Sequence, residues 1–370
     1  MNTPKKLRAA MVAVAVVYFV AVFFGSLTPG HPKTYTEHNS SGLNAQRKQE
    51  QNVNWKQHAE DIHTNNINRL PTSATVRQQL SFQFPYEPRK GFQKNIWQTW
   101  KVGVEHGAFP TKYKRFQIGW EEKNPGYKHY VIADDQCDLL INDLYESVPD
   151  VKKAWNSMPK SILKADFFRY LILYARGGVY SDIDTTALKP IDSWLSANET
   201  VFGQPNTAGL VVGIEADPDR PDWAEWYARR IQFCQWTIQA KAGHPQLREL
   251  IASITEITLT RQKKGQLHKV LGKDEGGDIM NWTGPGIWTD SVFEYLNNLA
   301  QPQKNRDEGV VETLVDWKMF TGLQKPRIVD DVMVLPITSF SPDVDQMGAK
   351  SSNHELAYAK HMFSGSWKND

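Results

Sequence analysis

Two aspartates, Asp182 and Asp184, stand two residues apart in the stretch RGGVYSDIDT. Side chains at positions i and i+2 of a strand share one face, so we expect both carboxylates on one side and Ile183 packed on the other. Two close carboxylates raise each other's pKa unless a cation joins them, and oxygen ligands suit Mn²⁺ or Mg²⁺ better than zinc. Such an ion could bind substrate phosphates. Taken alone, a D-x-D pair is a weak signal, because it also occurs on solvated loops.

The segment before these aspartates, Ser161 to Ala175, is predicted to be a buried helix, because it is apolar on nearly every side. At about 100° per residue, Asp166 and Arg169 lie about 60° apart on this helix. They either form an i,i+3 ion pair that supports the helix or hold the ribose and base of a nucleotide beside the metal. Gly177 and Gly178 end the helix and would let the backbone approach a ligand closely.

Strand-like and helix-like segments alternate from about Lys90 onward. This alternation predicts an α/β domain over residues 89–370, with a mainly parallel, mixed sheet flanked by helices. Ligands of such sheets bind at the carboxyl ends of strands. The polar, basic stretch 258–278 is predicted to be a surface loop. The predicted strands are 94–100, 127–136, 177–184, 200–204, 209–216 and 331–340, and the predicted helices are 161–175, 224–240 and 244–259.

The amino-terminal part of the chain differs in kind from the rest. Residues 9–27 carry no charge, and a helix of this length would cover about 28 Å, close to the thickness of a thin bilayer. Basic residues precede this stretch, so residues 1–8 are predicted to be a cytoplasmic tail and 9–27 a signal anchor, with the remainder lumenal. A cleaved signal peptide is the alternative, although its apolar core is usually shorter. Residues 28–88 are polar and are predicted to form a stem.

Composition limits the possible functions. The formal net charge is +2, which gives no indication of a nucleic-acid partner. The two cysteines, Cys137 and Cys234, could form one disulfide or remain two buried thiols, and the sequence leaves both open.

Several stretches together resemble a known family. The block ADFFRYLILYARGGVYSDIDT is similar to the D-x-D block of glycosyltransferase family 32, which contains retaining sugar transferases of the GT-A type. KNIWQTW resembles the family's opening strand, although a histidine often stands where Trp97 does. GLVVGIEADPDR, GHPQLRELI, NWTGPGIWTDSV and the terminal HMFSGSWK resemble a fungal Golgi subgroup of the family. The resemblance runs from about Lys94 to Lys368 and implies a GT-A fold.

The family's functional residues carry over to matching positions. The resemblance implies that Asp184 binds the metal directly, that Asp182 binds the metal or the ribose, and that His361 is the third protein ligand. It also implies contact of the nucleotide sugar with Asp166, Arg169, Gly177 and Gly178, and closure over the diphosphate by Ser366, Trp367 and Lys368. Lys368 would help to stabilise the departing GDP. Glu215 and Asp290 are weaker candidates for contact with the transferred sugar, and Trp97, Trp100, Trp282 and Trp288 for stacking on sugar rings.

The resemblance implies a complete activity: retaining, Mn²⁺- or Mg²⁺-dependent transfer of mannose from GDP-mannose to an N-glycan mannose in α-1,6 linkage. It further implies a single-pass type II protein of the Golgi membrane, with a possible complex with other mannosyltransferases. Two alternatives stay open. One is a family member with another donor or acceptor, such as UDP-galactose or a sphingolipid. The other is a non-catalytic, lectin-like subunit of a mannosyltransferase complex, against which the intact Asp182, Asp184 and His361 argue.

Overall fold

The computed structural model describes residue 70 and residues 73–218, 220–270, 277–300 and 314–364. The predicted tail, the predicted anchor, most of the predicted stem and residues 365–370 therefore lie outside the described residues. Within the described ranges, none of the helices is both long and apolar enough to cross a membrane.

Eight helices and twelve strands occur in the described residues. The helices are α1 Val76–Gln83, α2 Thr111–Lys123, α3 Asp134–Leu144, α4 Pro149–Ser157, α5 Ser161–Arg176, α6 Pro245–Lys263, α7 Gly277–Trp282 and α8 Pro285–Ala300. The strands are β1 Asn95–Trp100, β2 Lys128–Ala133, β3 Gly178–Ser181, β4 Thr185–Ala187, β5 Thr200–Val201, β6 Gln204–Pro205, β7 Leu210–Ala216, β8 Gln232–Phe233, β9 Thr237–Ala240, β10 Arg327–Val329, β11 Val332–Leu335 and β12 Ala359–His361.

A mixed sheet of eight strands forms the centre of the fold, in the order β10-β11-β7-β9-β3-β1-β2, with β8 paired to β7. Strands β1, β2, β3, β7 and β11 point the same way, whereas β8, β9 and β10 run opposite to them. The prediction of a mixed sheet flanked by helices is confirmed; most of its strands share one direction, as predicted, but four of its seven pairings are antiparallel. The carboxyl ends of the five like-directed strands meet at one edge of the sheet, where such folds bind their ligands.

Helix α5 is buried along almost its whole length, as its apolar sequence predicted. It ends at Gly177, whose φ is +61°, and a Cβ there would stand 1.9 Å from Gln93 Oε1. Gly178 has a φ of +106°, and a Cβ there would stand 2.4 Å from the Asn95 carbonyl oxygen. Both glycines thus allow the chain to turn tightly from α5 into β3 against the start of β1.

The predicted helix over residues 224–240 is wrong. This stretch contains a 3-10 turn at Trp223–Glu225 and the two strands β8 and β9. Every residue from Ile231 to Lys241 is buried, so this part of the stretch has no solvent-facing side for an amphipathic helix to present. Strand β9 instead fills the position between β3 and β7, where backbone pairing on both sides decides its conformation.

Two further boundaries differ from expectation. Helix α6 continues to Lys263, so the predicted loop 258–278 begins as helix. Helix α1 lies inside the stretch assigned to the stem, and its Arg77 pairs with Glu249 and Glu256 of α6.

The end of the described chain returns to the middle of the sequence. Strand β12 pairs antiparallel with β4, and this register sets His361 opposite Thr185. The Met362 N–H donates to the Asp184 carbonyl oxygen at 2.9 Å. Residues far apart in sequence are thereby joined beside the D-x-D pair.

Candidate active site

Asp182 and Asp184 lie in the turn that joins β3 to β4, and the prediction that they occupy a strand is wrong. The turn closes because the Thr185 N–H and hydroxyl both donate to the Asp182 carbonyl oxygen, at 3.1 and 2.6 Å. Ile183 is buried and packs with Phe109 and Tyr113, as expected of the residue between the two acids. The turn still brings both carboxylates to the carboxyl end of β3.

His361 completes a group of three potential metal ligands. Its Nε2 lies 3.1 Å from Asp184 Oδ1 and 4.0 Å from Asp182 Oδ2. One ligand atom from each of the three side chains lies within 4.8 Å of the others, and this is the only such group found among the described residues. Two carboxylates and an imidazole suit a hard divalent cation such as Mn²⁺ or Mg²⁺. The residues present therefore fit the predicted metal.

Hydrogen bonds fix the two ligands that the chain end brings together. The Ser364 N–H donates to Asp184 Oδ2 at 2.9 Å, and the Phe363 N–H donates to His361 Nδ1 at 3.0 Å. Burial alone would raise the pKa of Asp184, but the hydrogen bond and charge of His361 outweigh it and lower that pKa. Burial alone would lower the pKa of His361, but its hydrogen bond with Asp184 and the charges of both aspartates raise it.

Arg169 links the two acidic parts of the site. Its Nη2 lies 3.0 Å from Asp166 Oδ1 and 3.4 Å from Asp182 Oδ1, and its guanidinium packs on the ring of Tyr180. The Tyr180 hydroxyl donates to Asp182 Oδ1 at 2.8 Å. The i,i+3 ion pair considered from the sequence is present, and the same arginine also reaches the D-x-D pair.

Asp166 is held by residues that the sequence did not single out. Gln235 Nε2 donates to its Oδ1 at 2.6 Å, and the Thr283 hydroxyl donates to its Oδ2 at 3.1 Å. Gln235 follows β8 and Thr283 separates α7 from α8, so no local pattern around Asp166 could have indicated either contact.

One guanidinium, that of Arg169, pairs with two carboxylates, the buried Asp166 and the partly buried Asp182, and the pKa values reflect this. Burial raises the pKa of Asp166 to about 6, with Arg169 opposing the rise. Burial likewise raises the pKa of Asp182, again with Arg169 opposing. The pKa of Arg169 is raised despite its burial, because Asp182 and Asp166 both favour its charged form. The site is thus rich in negative charge, which favours the binding of a cation.

Glu215 adds a fourth carboxylate near the end of β7. Burial raises the pKa of Glu215, whereas its hydrogen bond from Gln232 and the charge of His361 lower it. Trp236 packs on His361 with 4.8 Å between ring centroids. The weaker sequence candidate Glu215 therefore lies close enough to the metal-ligand group to act on its charge, whereas Asp290 is paired with Arg229.

A cavity of about 310 Å³ lies at the carboxyl ends of β1 and β2. Thr99 and Asp134 line it on the sheet side, and Lys164 and Ala165 line it from α5, directly before Asp166. The acidic site and this cavity are therefore neighbours along one helix.

The remaining sequence candidates divide into three groups. Ser366, Trp367 and Lys368 lie outside the described residues, and their predicted roles stay predictions. Gly177 and Gly178 are explained by backbone packing. Three of the four tryptophans are core residues, namely Trp97, Trp282 and Trp288, and Trp100 packs edge-on against Tyr113.

Cys137 and Cys234 are both free and buried, which answers the open question of a disulfide between them.

An α/β sheet with an Asp–x–Asp turn and a histidine at its carboxyl edge is typical of enzymes that bind nucleotide sugars through a divalent metal. A family model described as "Glycosyltransferase sugar-binding region containing DXD motif" matches residues 110–201. The chain is 61% identical, over 99% of its own length and 95% of the relative's, to "Initiation-specific alpha-1,6-mannosyltransferase" of Candida albicans. It is 43% identical, over 80% of its length and 82% of the relative's, to the protein of the same name from Saccharomyces cerevisiae.

The chain belongs to this family of DXD-containing glycosyltransferases and is a glycosyltransferase, so the resemblance predicted from the sequence is confirmed. Among solved structures, "PaToxG Glycosyltransferase" matches with a TM-score of 0.37 and 15% identity, covering 70% of this chain and 84% of that chain. A TM-score this low adds nothing to the fold described above.

Proposed function

We propose that the protein transfers mannose from GDP-mannose to a mannose of an N-glycan, forming an α-1,6 linkage with retention of configuration. The observation that carries the proposal is the convergence of Asp182, Asp184 and His361 at the carboxyl edge of the sheet. The named activity of relatives that match most of the chain supports the choice of mannose and linkage.

Asp182, Asp184 and His361 would hold Mn²⁺ or Mg²⁺. Such an ion, when bound, supplies Lewis-acid stabilisation of the negative charge that a diphosphate leaving group acquires. Asp182, which is partly buried, and Asp184, which is buried, are fixed by hydrogen bonds from Tyr180 and Ser364, so little reorganisation is needed when they bind an ion.

The nucleoside of the donor would occupy the cavity beside α5. Its lining includes Ala165, the residue before Asp166 on α5. Asp166 and Arg169 would contact the ribose or the sugar. Ser366, Trp367 and Lys368 would close over the diphosphate, and the Lys368 ammonium would stabilise the departing GDP. Gly177 and Gly178 would act indirectly, by setting the path of β3.

Retention of configuration requires either a carboxylate nucleophile or attack from the face of the leaving group. All four carboxylates of the site already have partners: Asp166 pairs with Arg169 and accepts from Gln235 and Thr283, and Asp182 pairs with Arg169 and accepts from Tyr180. Asp184 pairs with His361 and accepts from the Ser364 N–H, and Glu215 accepts from Gln232. We therefore propose same-face attack by the acceptor hydroxyl, assisted by the leaving phosphate.

We further propose that residues 9–27 anchor the protein in the Golgi membrane with the catalytic domain in the lumen. Residues 1–8 would be cytoplasmic and the polar stretch after residue 27 a stem. A complex with other mannosyltransferases in that membrane is compatible with this arrangement.

A donor and acceptor screen tests the proposal. The full-length chain in detergent would be offered GDP-mannose, UDP-galactose and related donors with a high-mannose N-glycan or a sphingolipid, with and without Mn²⁺. We expect Mn²⁺-dependent product only from GDP-mannose and the N-glycan, with an α-1,6 linkage after methylation analysis. Product from another pair would assign the chain to a different specificity, and donor binding without turnover would indicate the lectin-like subunit. The variant Asp182→Asn is the control for contaminating activity.

A further inference from the structure

Two aromatic side chains near the carboxyl edge of the sheet lie open to solvent: Phe363, which packs edge-on against His361, and Trp226. Trp226 is 62% exposed, although most large aromatic side chains of the described chain are buried. The Arg220 guanidinium carbon lies 5.7 Å from the Trp226 ring centroid, and most of the ring remains accessible with that contact made. An exposed indole leaves apolar surface in contact with water. A ligand that covers the Trp226 ring would remove this surface from water and gain binding free energy.

The segment that carries Trp226 is fixed at both ends. Asp217, directly after β7, accepts from Arg230 at 2.8 Å and from the Gly322 N–H at 2.6 Å. The Trp226 and Tyr227 N–H groups both donate to the Trp223 carbonyl oxygen at 3.0 Å. The loop that presents the indole is therefore held at its two ends by the contact of Asp217 with Arg230.

This loop adjoins the candidate active site. It leaves the carboxyl end of β7, which is separated from β3 by β9 alone. Through β9, Ser181 at the end of β3 is level with Gly213, three residues before the end of β7, so the two strand ends are about 14 Å apart. Glu215, near the end of β7, influences the charge of His361 on one side. On the other side Glu215 Oε2 accepts from Gln232 Nε2 at 3.0 Å, and Gln232 Oε1 accepts from the N–H of Ala228, two residues after Trp226, at 3.2 Å.

The charges around the indole favour a neutral ligand. Arg220 pairs with Asp222, Arg230 with Asp217, and Arg229 with Asp290, so each of these arginines already has an anionic partner. A charged ligand would have to compete with these pairs, whereas an uncharged sugar can stack its C–H face on the ring and direct its hydroxyls to the paired ions.

We propose that Trp226 is the platform on which a sugar ring of the acceptor oligosaccharide stacks, so that the reacting hydroxyl is directed towards the Asp182–Asp184–His361 group. The inference rests on the proposed function, since it assumes that the acceptor is a neutral glycan. It assigns Trp226 to acceptor recognition and not to donor binding.

The test compares Trp226→Ala with the wild type of the full-length chain in detergent. Two reactions are followed: transfer to a high-mannose oligosaccharide, and the slow hydrolysis of GDP-mannose without acceptor. We expect the KM for the acceptor to rise at least roughly threefold, in keeping with the loss of one stacking contact. The KM for GDP-mannose and the hydrolysis rate should stay unchanged, and Trp226→Tyr should recover most of the acceptor affinity.

The matched control is Phe202→Ala, which removes an aromatic ring that is 65% exposed, on the β5–β6 hairpin before the amino end of β7. It should leave the KM for the acceptor unchanged.

Saturation-transfer NMR with the free oligosaccharide gives a readout independent of turnover, and its signal should fall in Trp226→Ala. An unchanged acceptor KM in Trp226→Ala, or an equal change in Phe202→Ala, would refute the stacking of the acceptor on Trp226. It would leave the proposed function intact. A wild-type enzyme that hydrolyses GDP-mannose but never uses the glycan would refute the proposed function instead.

Discussion

Replacing Asp166 by Asn should change how the stability of the protein depends on pH. Burial raises the pKa of the Asp166 carboxyl from 3.8 to about 6, because Arg169 is shared with Asp182 and compensates only in part. The folded protein therefore holds this proton more tightly than the unfolded chain does. The stabilising contribution of the protonated group is fully present below pH 3.8 and is lost as the pH rises through about 6. An asparagine does not titrate and has no such loss.

The size of the effect follows from the same two pKa values. A difference of about 2 units corresponds to about 3 kcal/mol in all, of which about 1.4 kcal/mol is lost between pH 5 and pH 7.5. Asn suits the site sterically. Its oxygen can accept from Gln235 and Arg169, and its amide can donate to the Thr283 hydroxyl, which is able to reverse its role. The pH-dependent part should therefore be visible above any constant cost of the substitution.

Urea denaturation of the metal-free, donor-free protein at pH 5, 6 and 7.5 measures this difference. The free energy of unfolding of the wild type minus that of Asp166→Asn should fall by about 1.4 kcal/mol across this range. Asp290→Asn, at an exposed ion pair with Arg229, is the control and should show no comparable trend. A difference for Asp166→Asn that is constant, or that grows with pH, would refute the reasoning.

Four further outcomes are expected. Asp184→Asn should lose at least about 3 kcal/mol of transition-state stabilisation with saturating Mn²⁺, so near-normal turnover would contradict its role as a metal ligand. Asp331→Asn should lower the free energy of unfolding at pH 7 by about 2 kcal/mol, because its carboxylate accepts from Tyr86 and Tyr295. Burial alone would raise the pKa of Asp331, but the hydrogen bond and charge of His244, together with the bonds from the two tyrosines, lower it, so the loss should shrink as the pH falls below 3.8. Deletion of residues 365–370 should abolish transfer with an unchanged circular dichroism spectrum, since β12 ends at His361. The intact protein should remain in the membrane pellet after carbonate extraction, and an amino terminus starting near residue 27 would instead show a cleaved signal peptide.

The parts of the fold that local sequence could predict are those whose pattern and packing agree. Helix α5 is apolar all round and is buried all round, and its glycine stop lies where the sequence indicated. Strands β7 and β11 are short apolar runs and are buried, which is how central strands of such sheets read. For these segments the local preference and the tertiary environment favour the same conformation.

The stretch 224–240 shows where the local pattern fails. Its alternation of aromatic, charged and amide residues can be read as one face of a helix. What decides its structure is the open position in the sheet between β3 and β7, which β9 fills through hydrogen bonds on both sides. A pairing of this kind depends on residues that are distant in sequence, so the 3.6-residue period alone cannot reveal it.

The sequence indicates the carboxylates of the site, but it does not indicate the side chains that hydrogen-bond to them. Asp182 and Asp184 are recognisable because their spacing creates an electrostatic conflict that a cation resolves. Gln235 and Thr283, which donate hydrogen bonds to Asp166, lie 69 and 117 residues from it in the sequence. Amide and hydroxyl side chains are common on surfaces, and nothing in their own neighbourhood distinguishes these two.

His361 illustrates the same limit at the centre of the site. By residue type alone it would be an ordinary surface histidine, and it was singled out through family resemblance. The structure supplies the physical reason for its position. Pairing of β12 with β4 sets His361 opposite Thr185, the residue after Asp184, and the Met362 and Ser364 N–H groups bond to the carbonyl and carboxylate of Asp184. One aspartate therefore supplies both a potential metal ligand and the attachment point of the chain end. Any change that moves its carboxylate must also move the segment that leads to Ser366, Trp367 and Lys368. A metal ion held by Asp184 would thereby be coupled to the position of residues 362–364.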